Sequence, residues 1–142
     1  MNNNKHHIVF LTGAGISQES GISTFRDANG LWNNHKLEEV ASPEGFEKNP
    51  QLVLDFYNAR RRQLDEVNPN ESHHLIAQLE TKYKITIITQ NIDDLHERAG
   101  STNVLHLHGE LRKSRSSKNP NLITDCNQDI KLGDLASDGN QL

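Results

Sequence analysis

The fold is decided by one stretch, Val9–Asp27, which reads VFLTGAGISQESGISTFRD. An apolar run over Ile8–Leu11 leads directly into Thr12-Gly13-Ala14-Gly15, and this pattern predicts a buried strand that runs into a glycine turn. Glycine lets the main chain approach a ligand closely, and a helix beginning near Ile16 would point its free N–H groups at the same place. That arrangement suits a pyrophosphate.

The glycine turn is weak evidence alone, because Gln18 stands where the dinucleotide fingerprint G-x-G-x-x-G has its third glycine. On these residues a tight strand-to-helix turn without a ligand is the favoured alternative. The evidence for a nucleotide site becomes stronger with the residues that follow closely, which are Gly21, Phe25-Arg26-Asp27 and Gly30-Leu31-Trp32. An arginine and two aromatic residues beside such a turn predict a loop that folds over a bound nucleotide.

Composition bounds the class of protein. The chain has 142 residues, about one domain, and a net charge of −4 from 15 basic and 19 acidic residues, which argues against nucleic-acid or membrane-surface partners. No apolar run approaches membrane length, and the start, MNNNKHH, is not an apolar signal segment. The single cysteine, Cys126, excludes an internal disulfide and predicts a reducing, cytoplasmic location.

The order of predicted elements is that of an α/β protein with a doubly wound parallel sheet. Strands are predicted over Ile8–Leu11, Ile85–Thr89 (apolar on both faces) and Val104–Leu107. Helices are predicted from Ser17 to Ser20, from Ser42-Pro43, from Asn49-Pro50 to Asn68-Pro69-Asn70, over Ser72–Tyr83 with Leu75, Ile76, Leu79 and Tyr83 inward, and over Asp93–Ala99, closed by Gly100. Gly21–Trp32 is predicted to be a loop.

The character of the chain changes after Leu111. Residues 112–142 are rich in Ser, Asn, Asp and Gly, with weak strand candidates only at Leu122-Ile123 and Ile130–Leu135. We therefore expect one domain over residues 1–111 and the remnant of a smaller region over 112–142.

Polar residues follow the second predicted strand, in Thr89-Gln90-Asn91-Ile92-Asp93. Ligands bind at the carboxyl ends of strands in open α/β sheets, so these side chains could bind ribose hydroxyls, an amide or a water. A helix cap formed by Asn91 or Asp93 explains the motif at least as well.

His106-x-His108-Gly109 ends the third predicted strand. A histidine there can act as a general base near neutral pH, and the alternatives are a packed histidine or half of a metal pair. Strand alternation places both side chains on one face, but no third ligand of matching spacing follows, so no metal is expected.

Together, the motifs GAGISQESGISTFRD, TQNIDDLHERAG and LHLHGEL resemble the sirtuin family of NAD-dependent protein-lysine deacylases. The resemblance runs from about Ile8 to Leu111 in order and spacing, with Ser23 where the family usually has proline. It implies a Rossmann-like sheet of which the first part is present.

The resemblance also implies roles. His108 would be the general base and Asn91 a second catalytic residue, and acyl-lysine would be converted to free lysine, nicotinamide and O-acyl-ADP-ribose. NAD, as co-substrate, would be bound by Gly13, Ala14, Gly15, Ile16, Ser17, Phe25, Arg26, Trp32, Gln90, Asn91, Ile92 and Asp93.

Tyr57 and Arg60 are candidate residues for recognising the acyl group of the substrate. They are three positions apart in FYNARRR, so they share a helix face, where a phenol and a guanidinium can bind a carboxylate. A surface arginine in the run Arg60-Arg61-Arg62 is the alternative that composition favours. The pair resembles the signature of the desuccinylase-type branch of the family, which predicts deacetylase together with desuccinylase and demalonylase activity.

Two departures from the family matter. Most sirtuins hold a structural zinc with two Cys-x-x-Cys pairs, whereas here Ser116 stands near the first position and Cys126 is alone, so no zinc is expected. The family fold also returns to the sheet beyond this point, which makes a C-terminally truncated chain the expectation. A catalytically inactive NAD- or ADP-ribose-binding module and an NAD glycohydrolase or ADP-ribosyl transferase are the alternatives.

Overall fold

The computed structural model describes residues 5–22, 31–32 and 35–142. Contacts divide the chain into two compact units, and each unit is built from two separate segments. The first unit comprises residues 1–24 and 67–110, and the second comprises residues 25–66 and 111–142. The domain boundary expected between 111 and 112 stays a prediction.

The described residues form both strands and helices, with four successive helices in the middle of the chain. In order they are β1 (His7–Thr12), α1 (Ala14–Ser17), a 3₁₀ turn (Gln18–Ser20), β2 (Leu31–Trp32), β3 (His35–Lys36), α2 (Leu37–Val40), α3 (Pro43–Lys48), α4 (Pro50–Gln63), α5 (Glu71–Leu79), β4 (Lys84–Thr89), α6 (Leu95–Arg98), β5 (Val104–His106), β6 (Lys113–Arg115) and β7 (Ile123–Asp125). No helix of the described residues is long and apolar enough to cross a membrane.

The first unit is built on a parallel sheet with strand order β1-β4-β5, and its three strands confirm those predicted from the sequence. Ile85 and Ile87 of β4 are buried and pack with Ile76 of α5. The opposite face is open, since Val9 and Leu11 of β1 are 53% and 69% exposed. The prediction that β4 is buried on both faces is therefore correct for only one of them.

Helix α5 differs from its prediction in extent and in one inward residue. It begins after Asn70, whose side chain accepts a hydrogen bond from the Ser72 N–H at 3.0 Å, and it ends at Leu79 rather than Tyr83. Leu75 is 51% exposed, so the prediction that it points inward is wrong. One residue corresponds to about 100° around a helix, so Leu75 cannot share the buried line of Ile76.

Two helices of the second unit, α3 and α4, begin at their predicted caps. The Ser42 hydroxyl accepts from the Gly45 N–H at 2.9 Å, and the Asn49 side chain accepts from the Leu52 N–H at 3.1 Å. Helix α4 ends at Gln63, before the Asn68-Pro69-Asn70 stop that the sequence suggested.

Buried polar contacts join α4 to the later segment of the second unit. The Asn58 amide donates to the Ile130 carbonyl at 2.8 Å and its oxygen accepts from the Ile130 N–H at 2.9 Å. Arg61 donates from Nε to the Leu111 carbonyl at 2.8 Å. These bonds tie two segments together that are far apart along the chain.

Three short pairings depart from the predicted loops of the second unit. β2 pairs antiparallel with β3 where a loop through Trp32 was predicted, so that part of the prediction is wrong. β6 pairs antiparallel with β7, which overlaps the weak candidate at Leu122-Ile123. Of the other weak candidate, only Leu135 takes part in pairing, as an isolated bridge with Gln141.

Candidate active site

The predicted strand and glycine turn are confirmed in position, but two details differ. The strand is not buried, since Val9 and Leu11 are 53% and 69% exposed, and the helix begins at Ala14, with only a 3₁₀ turn over Gln18–Ser20. β1 ends at Thr12, and α1 follows with Gly13 as its N-cap in extended conformation. Among the described residues, a Cβ placed on Gly15 would meet no atom within 4 Å, and one on Gly13 would meet the Gln90 Oε1 at 3.8 Å. The main chain of the turn is thus reachable from outside.

A buried hydrogen-bond network connects the glycine turn to the segment after β4. The Asn91 amide donates to the Gly13 carbonyl at 3.2 Å and to the Ser17 hydroxyl at 3.1 Å, and that hydroxyl donates to the Asp93 Oδ2 at 3.0 Å. Ser17 is fully buried, and Asn91 and Asp93 are nearly so. Two motifs that lie more than seventy positions apart in the sequence therefore form one site.

Asp93 also accepts a hydrogen bond from the first residue of helix α6, which follows it. Its Oδ1 accepts from the Leu95 N–H at 3.2 Å, which supports the first turn of α6. The N-cap of that helix is Asp94, so the interpretation of Asn91 or Asp93 as the cap is wrong in position. Burial raises the pKa of Asp93, and the hydrogen bonds from Leu95 and Ser17 oppose that rise. The neighbours Gln90 and Ile92 are exposed and half-buried, respectively, which leaves them reachable by a ligand.

His106 and His108 both face the backbone of the segment after β4. The Nδ1 of His106 lies 2.8 Å from the Asn91 carbonyl oxygen, and the Nδ1 of His108 lies 3.1 Å from the Gln90 carbonyl oxygen. A carbonyl oxygen only accepts hydrogen bonds, so each Nδ1 carries a proton. For His108 this leaves Nε2 with its lone pair, in an exposed ring.

His106 is held differently, because its Nε2 lies 2.8 Å from the Glu97 Oε1. A carboxylate also accepts, so both ring nitrogens of His106 act as donors and the ring is an imidazolium. Burial lowers the pKa of His106, but the hydrogen bonds to Glu97 and to the Asn91 carbonyl outweigh it and raise the pKa overall. His108 is therefore the histidine of the pair with a basic nitrogen available.

The metal-pair interpretation of the two histidines receives no support from this geometry. Within residues 5–22, 31–32 and 35–142, the group with suitably close ligand atoms is Glu97, His106 and Glu110, within 4.8 Å of one another, and it does not include His108. The hydrogen bond between Glu97 and His106 explains why two of these three side chains lie close together.

The second unit contains a pocket of about 210 Å³. Its lining is formed by His35, Leu52, Asp55, Phe56, Ala59 and Arg60. Arg60 is only 8% exposed, and its Nε and Nη1 are buried with no hydrogen-bond partner in the part of the chain that the structure describes. Burial lowers the pKa of Arg60. The alternative of a surface arginine is thus wrong for Arg60.

Tyr57 does not line this pocket. Its ring packs edge-on against Phe56, with centroids 5.4 Å apart, and burial raises the pKa of its phenol. The guanidinium of Arg60 lies 5.7 Å from the same Phe56 ring. Phe56 therefore packs against both Tyr57 and Arg60. Of those two residues, Arg60 is the one that lines the pocket.

Ser116, which stands near the first cysteine position of the zinc motif named above, takes part in a polar network in the second unit. The Ser116 hydroxyl donates to the Asp138 Oδ2 at 2.8 Å and accepts from the N–H groups of Lys118 and Asn119 at 3.2 Å each. Cys126 is the one cysteine of the chain. This donor set does not fit a site of four thiolates, and the expectation of no zinc stays a prediction.

Part of the predicted nucleotide loop cannot be compared with the structure. Phe25 and Arg26 lie outside the described residues, and only the backbone is described for Trp32. Sequence reasoning in turn missed Glu97 and His35. No spacing rule signals either one, because Glu97 meets His106 across a loop and His35 reaches the pocket from a two-residue strand.

Comparison with known proteins decides the family. The model of the Sir2 family matches residues 13–135, which include the glycine turn, Asn91 and His108. The chain belongs to the Sir2 family. This confirms the sirtuin resemblance and the Rossmann-like parallel sheet that it implied.

Individual relatives agree with this assignment. An NAD-dependent protein deacylase of Helicobacter pylori is 63% identical over 136 residues, which cover 96% of this chain and 59% of the relative. A Sir2 homologue mutant solved with ADP-ribose is 42% identical with a TM-score of 0.84, and the match covers 99% of this chain and 57% of that one. A Sir2 protein bound to acetylated peptide is 33% identical with a TM-score of 0.74, over 99% of this chain and 57% of that one. The chain thus spans somewhat under three-fifths of the length of these proteins.

Proposed function

We propose that this chain carries the catalytic residues of an NAD-dependent protein-lysine deacylase. The observation that carries the proposal is the arrangement of His108 and Asn91. His108 is held through Nδ1 with Nε2 available, beside an Asn91 that is tied to the glycine turn. The name of the Helicobacter pylori relative and the ADP-ribose and acetylated-peptide complexes of the structural neighbours support NAD and acyl-lysine as the reactants.

The residues present fit a dinucleotide. The glycine turn has open space beside Gly15, and the main-chain N–H groups that follow suit a pyrophosphate. We assign the ribose and carboxamide to Gln90, Asn91, Ile92 and Asp93, and we keep Phe25, Arg26 and Trp32 as sequence-based members of the site. NAD, when bound, supplies the ribose carbon that accepts the acyl oxygen as nicotinamide leaves.

His108 then removes a proton from a ribose hydroxyl through Nε2, since its Nδ1 proton is already held by the Gln90 carbonyl. The Asn91 amide is committed to Gly13 and Ser17, which fixes the segment that faces the reacting ribose. That hydroxyl would attack the acyl carbon, and one water would be consumed as the lysine amine leaves. The products would be free lysine, nicotinamide and O-acyl-ADP-ribose.

We further propose that the acyl group can carry a carboxylate, as succinyl and malonyl groups do. A buried guanidinium with two unpartnered nitrogens, in a pocket walled by Leu52 and Phe56, is suited to a carboxylate ligand. The Asp55 carboxylate at the same pocket accepts a hydrogen bond from Gln51 at 2.8 Å. Tyr57 remains a sequence-based candidate for the same carboxylate.

We also propose a cytoplasmic location and acyl-lysine proteins as partners, without nucleic acid or membrane. The single cysteine and the net charge of −4 support this.

The test is nicotinamide release from NAD, with acetyl-lysine and with succinyl-lysine peptides. We expect His108→Ala to lower the rate by about 10²–10⁴-fold, the usual contribution of a general base. His74→Ala, which changes an exposed histidine, is the matched control. Near-normal turnover by His108→Ala would contradict the assignment. Binding of NAD without release indicates an inactive binding module, and release without peptide indicates a glycohydrolase.

The acyl class is tested with Arg60→Met. We expect it to weaken the handling of succinyl-lysine by about 1.5–3 kcal/mol, the range for a hydrogen bond to a charged group, and to spare acetyl-lysine. Arg62→Met is the control, because Arg62 is exposed and pairs with Asp129. Equal losses on both peptides would reject the carboxylate pocket.

A further inference from the structure

We propose that Glu97 and His106 form a positioning pair, which fixes the Asn91 backbone that the reaction requires. The inference rests on the proposed function and adds two residues that do not contact the reacting groups themselves.

The pair bridges a helix and a strand of the first unit. Glu97 lies on α6 and His106 ends β5. The His106 ring reaches the Glu97 carboxylate with one nitrogen and the Asn91 carbonyl with the other, both at 2.8 Å. The His106 side chain is 6% exposed and that of Glu97 is 39% exposed, so the contact to Asn91 is shielded from water.

His106 and His108 make hydrogen bonds of different strength to the carbonyl oxygens of Asn91 and Gln90. His106 donates as an imidazolium, and charge-assisted hydrogen bonds are shorter and stronger than neutral ones. The Nδ1 of His108 lies 3.1 Å from its carbonyl oxygen, compared with 2.8 Å for His106. Of the two adjacent carbonyls, that of Asn91 is therefore the more firmly held.

The position of Asn91 controls the rest of the site. Its side chain bonds the Gly13 carbonyl and the Ser17 hydroxyl, so a shift of its backbone would disturb the glycine turn as well. The charge of His106 also acts on Asp93, where it opposes the rise in pKa that burial causes. The hydrogen bond from the His106 ring to the Glu97 carboxylate stabilises the positive charge of His106.

The pair is tested with Glu97→Gln, which keeps the shape of the side chain and removes its charge. Two readouts in the chain itself do not need turnover: the ¹⁵N shifts of the His106 ring, and hydrogen exchange of the Asn91 side-chain amide. At the same pH as the unmutated chain, we expect the ring signals to shift towards the form that is protonated on Nδ1 alone. We expect the amide to exchange at least about tenfold faster, as expected when a supporting hydrogen bond loses about 1.4 kcal/mol. His7→Gln is the control, because it removes an exposed histidine that bonds Thr86 in the same sheet.

Turnover gives the third readout. We expect Glu97→Gln to lower kcat for nicotinamide release by about 10–100-fold, because a small misplacement of site residues has effects of this size, while urea unfolding shows a folded protein. Glu97→Asp, which restores the charge, recovers part of kcat, whereas a structural role would not follow charge. Unchanged Asn91 exchange in Glu97→Gln overturns the pair even if deacylation is normal. A faster Asn91 exchange with no nicotinamide release by the unmutated chain supports the pair and rejects the proposed function for this chain.

Discussion

Buried His73 makes the stability of the first unit depend on pH. The ring of His73 is fully buried on α5, and it packs edge-on against His96 with centroids 4.9 Å apart. Its Nδ1 accepts from the Asn70 N–H at 3.3 Å, so the ring proton is on Nε2, which is buried without a partner. Burial, with smaller contributions from His96 and His74, lowers the pKa of His73 to about 4.

The size of the effect follows from linkage. The folded state keeps His73 neutral down to a pKa of about 4, whereas the unfolded chain takes up the proton near its ordinary value of 6.5. The unfolded state therefore binds more protons in this window, and stability falls as the pH falls from 6.5 to 4. Within this window the free energy of unfolding falls by about 1.4 kcal/mol for each pH unit. Relative to neutral pH, the total loss is about 2 kcal/mol at pH 5 and about 3 kcal/mol at pH 4.

The perturbation is His73→Asn, which does not titrate and can still accept from the Asn70 N–H through its side-chain oxygen. The assay is urea unfolding followed by circular dichroism at several pH values between 7.5 and 4.5. We expect the variant to be less stable at pH 7.5, because it leaves a cavity, and to have a pH slope that is shallower by about 1.4 kcal/mol per unit. His74→Asn, on the exposed side of α5, should keep the original slope. Parallel slopes for His73→Asn and the unmutated chain would refute the reasoning.

Two further predictions concern the second unit. Gly45→Ala should destabilise the protein by about 1–3 kcal/mol, because its Cβ would lie 2.5 Å from the Glu39 carbonyl oxygen and 2.7 Å from that of Glu38, and a thermal melt would contradict this if Tm were unchanged. Asn58→Ala should reduce the free energy of unfolding by about 3 kcal/mol, because the N–H and carbonyl of Ile130 lose their buried partner; urea unfolding measures this, and a loss below about 1 kcal/mol would mean that water replaces the amide.

The parts of the fold that the sequence predicts well depend on neighbours along the chain. The glycine turn after β1 and the caps Ser42 and Asn49 are set by the chemistry of a few adjacent residues, and the structure confirms them. The exposure of Leu75 depends instead on what packs against its helix, and the local pattern misjudged it. The burial of Arg60 depends on packing in the same way, and composition alone favoured the wrong alternative of a surface arginine. Packing of this kind is decided by residues that are distant in sequence.

The candidate site shows the same division. The polar residues after β4 and the histidines after β5 were predicted because the carboxyl ends of parallel strands meet at one edge. The charge state of His106 was not predictable, since it depends on Glu97, which a helix and a loop bring into contact. The place of Tyr57 outside the pocket depends on rotation of α4 about its axis, which helical spacing alone does not fix.

The interleaving of segments in the two units affects how the chain is made. His7 of β1 pairs with Lys84 of β4, so about 77 residues must be synthesised before the first strand meets its partner. At the usual 5–20 residues per second, translation leaves β1 without its partner for about 4–15 s. During this delay the apolar Val9 and Leu11 are part of a nascent strand with an unpaired edge, which is a template for aggregation. Strand β1 is therefore accessible to chaperones on the ribosome until β4 has been synthesised.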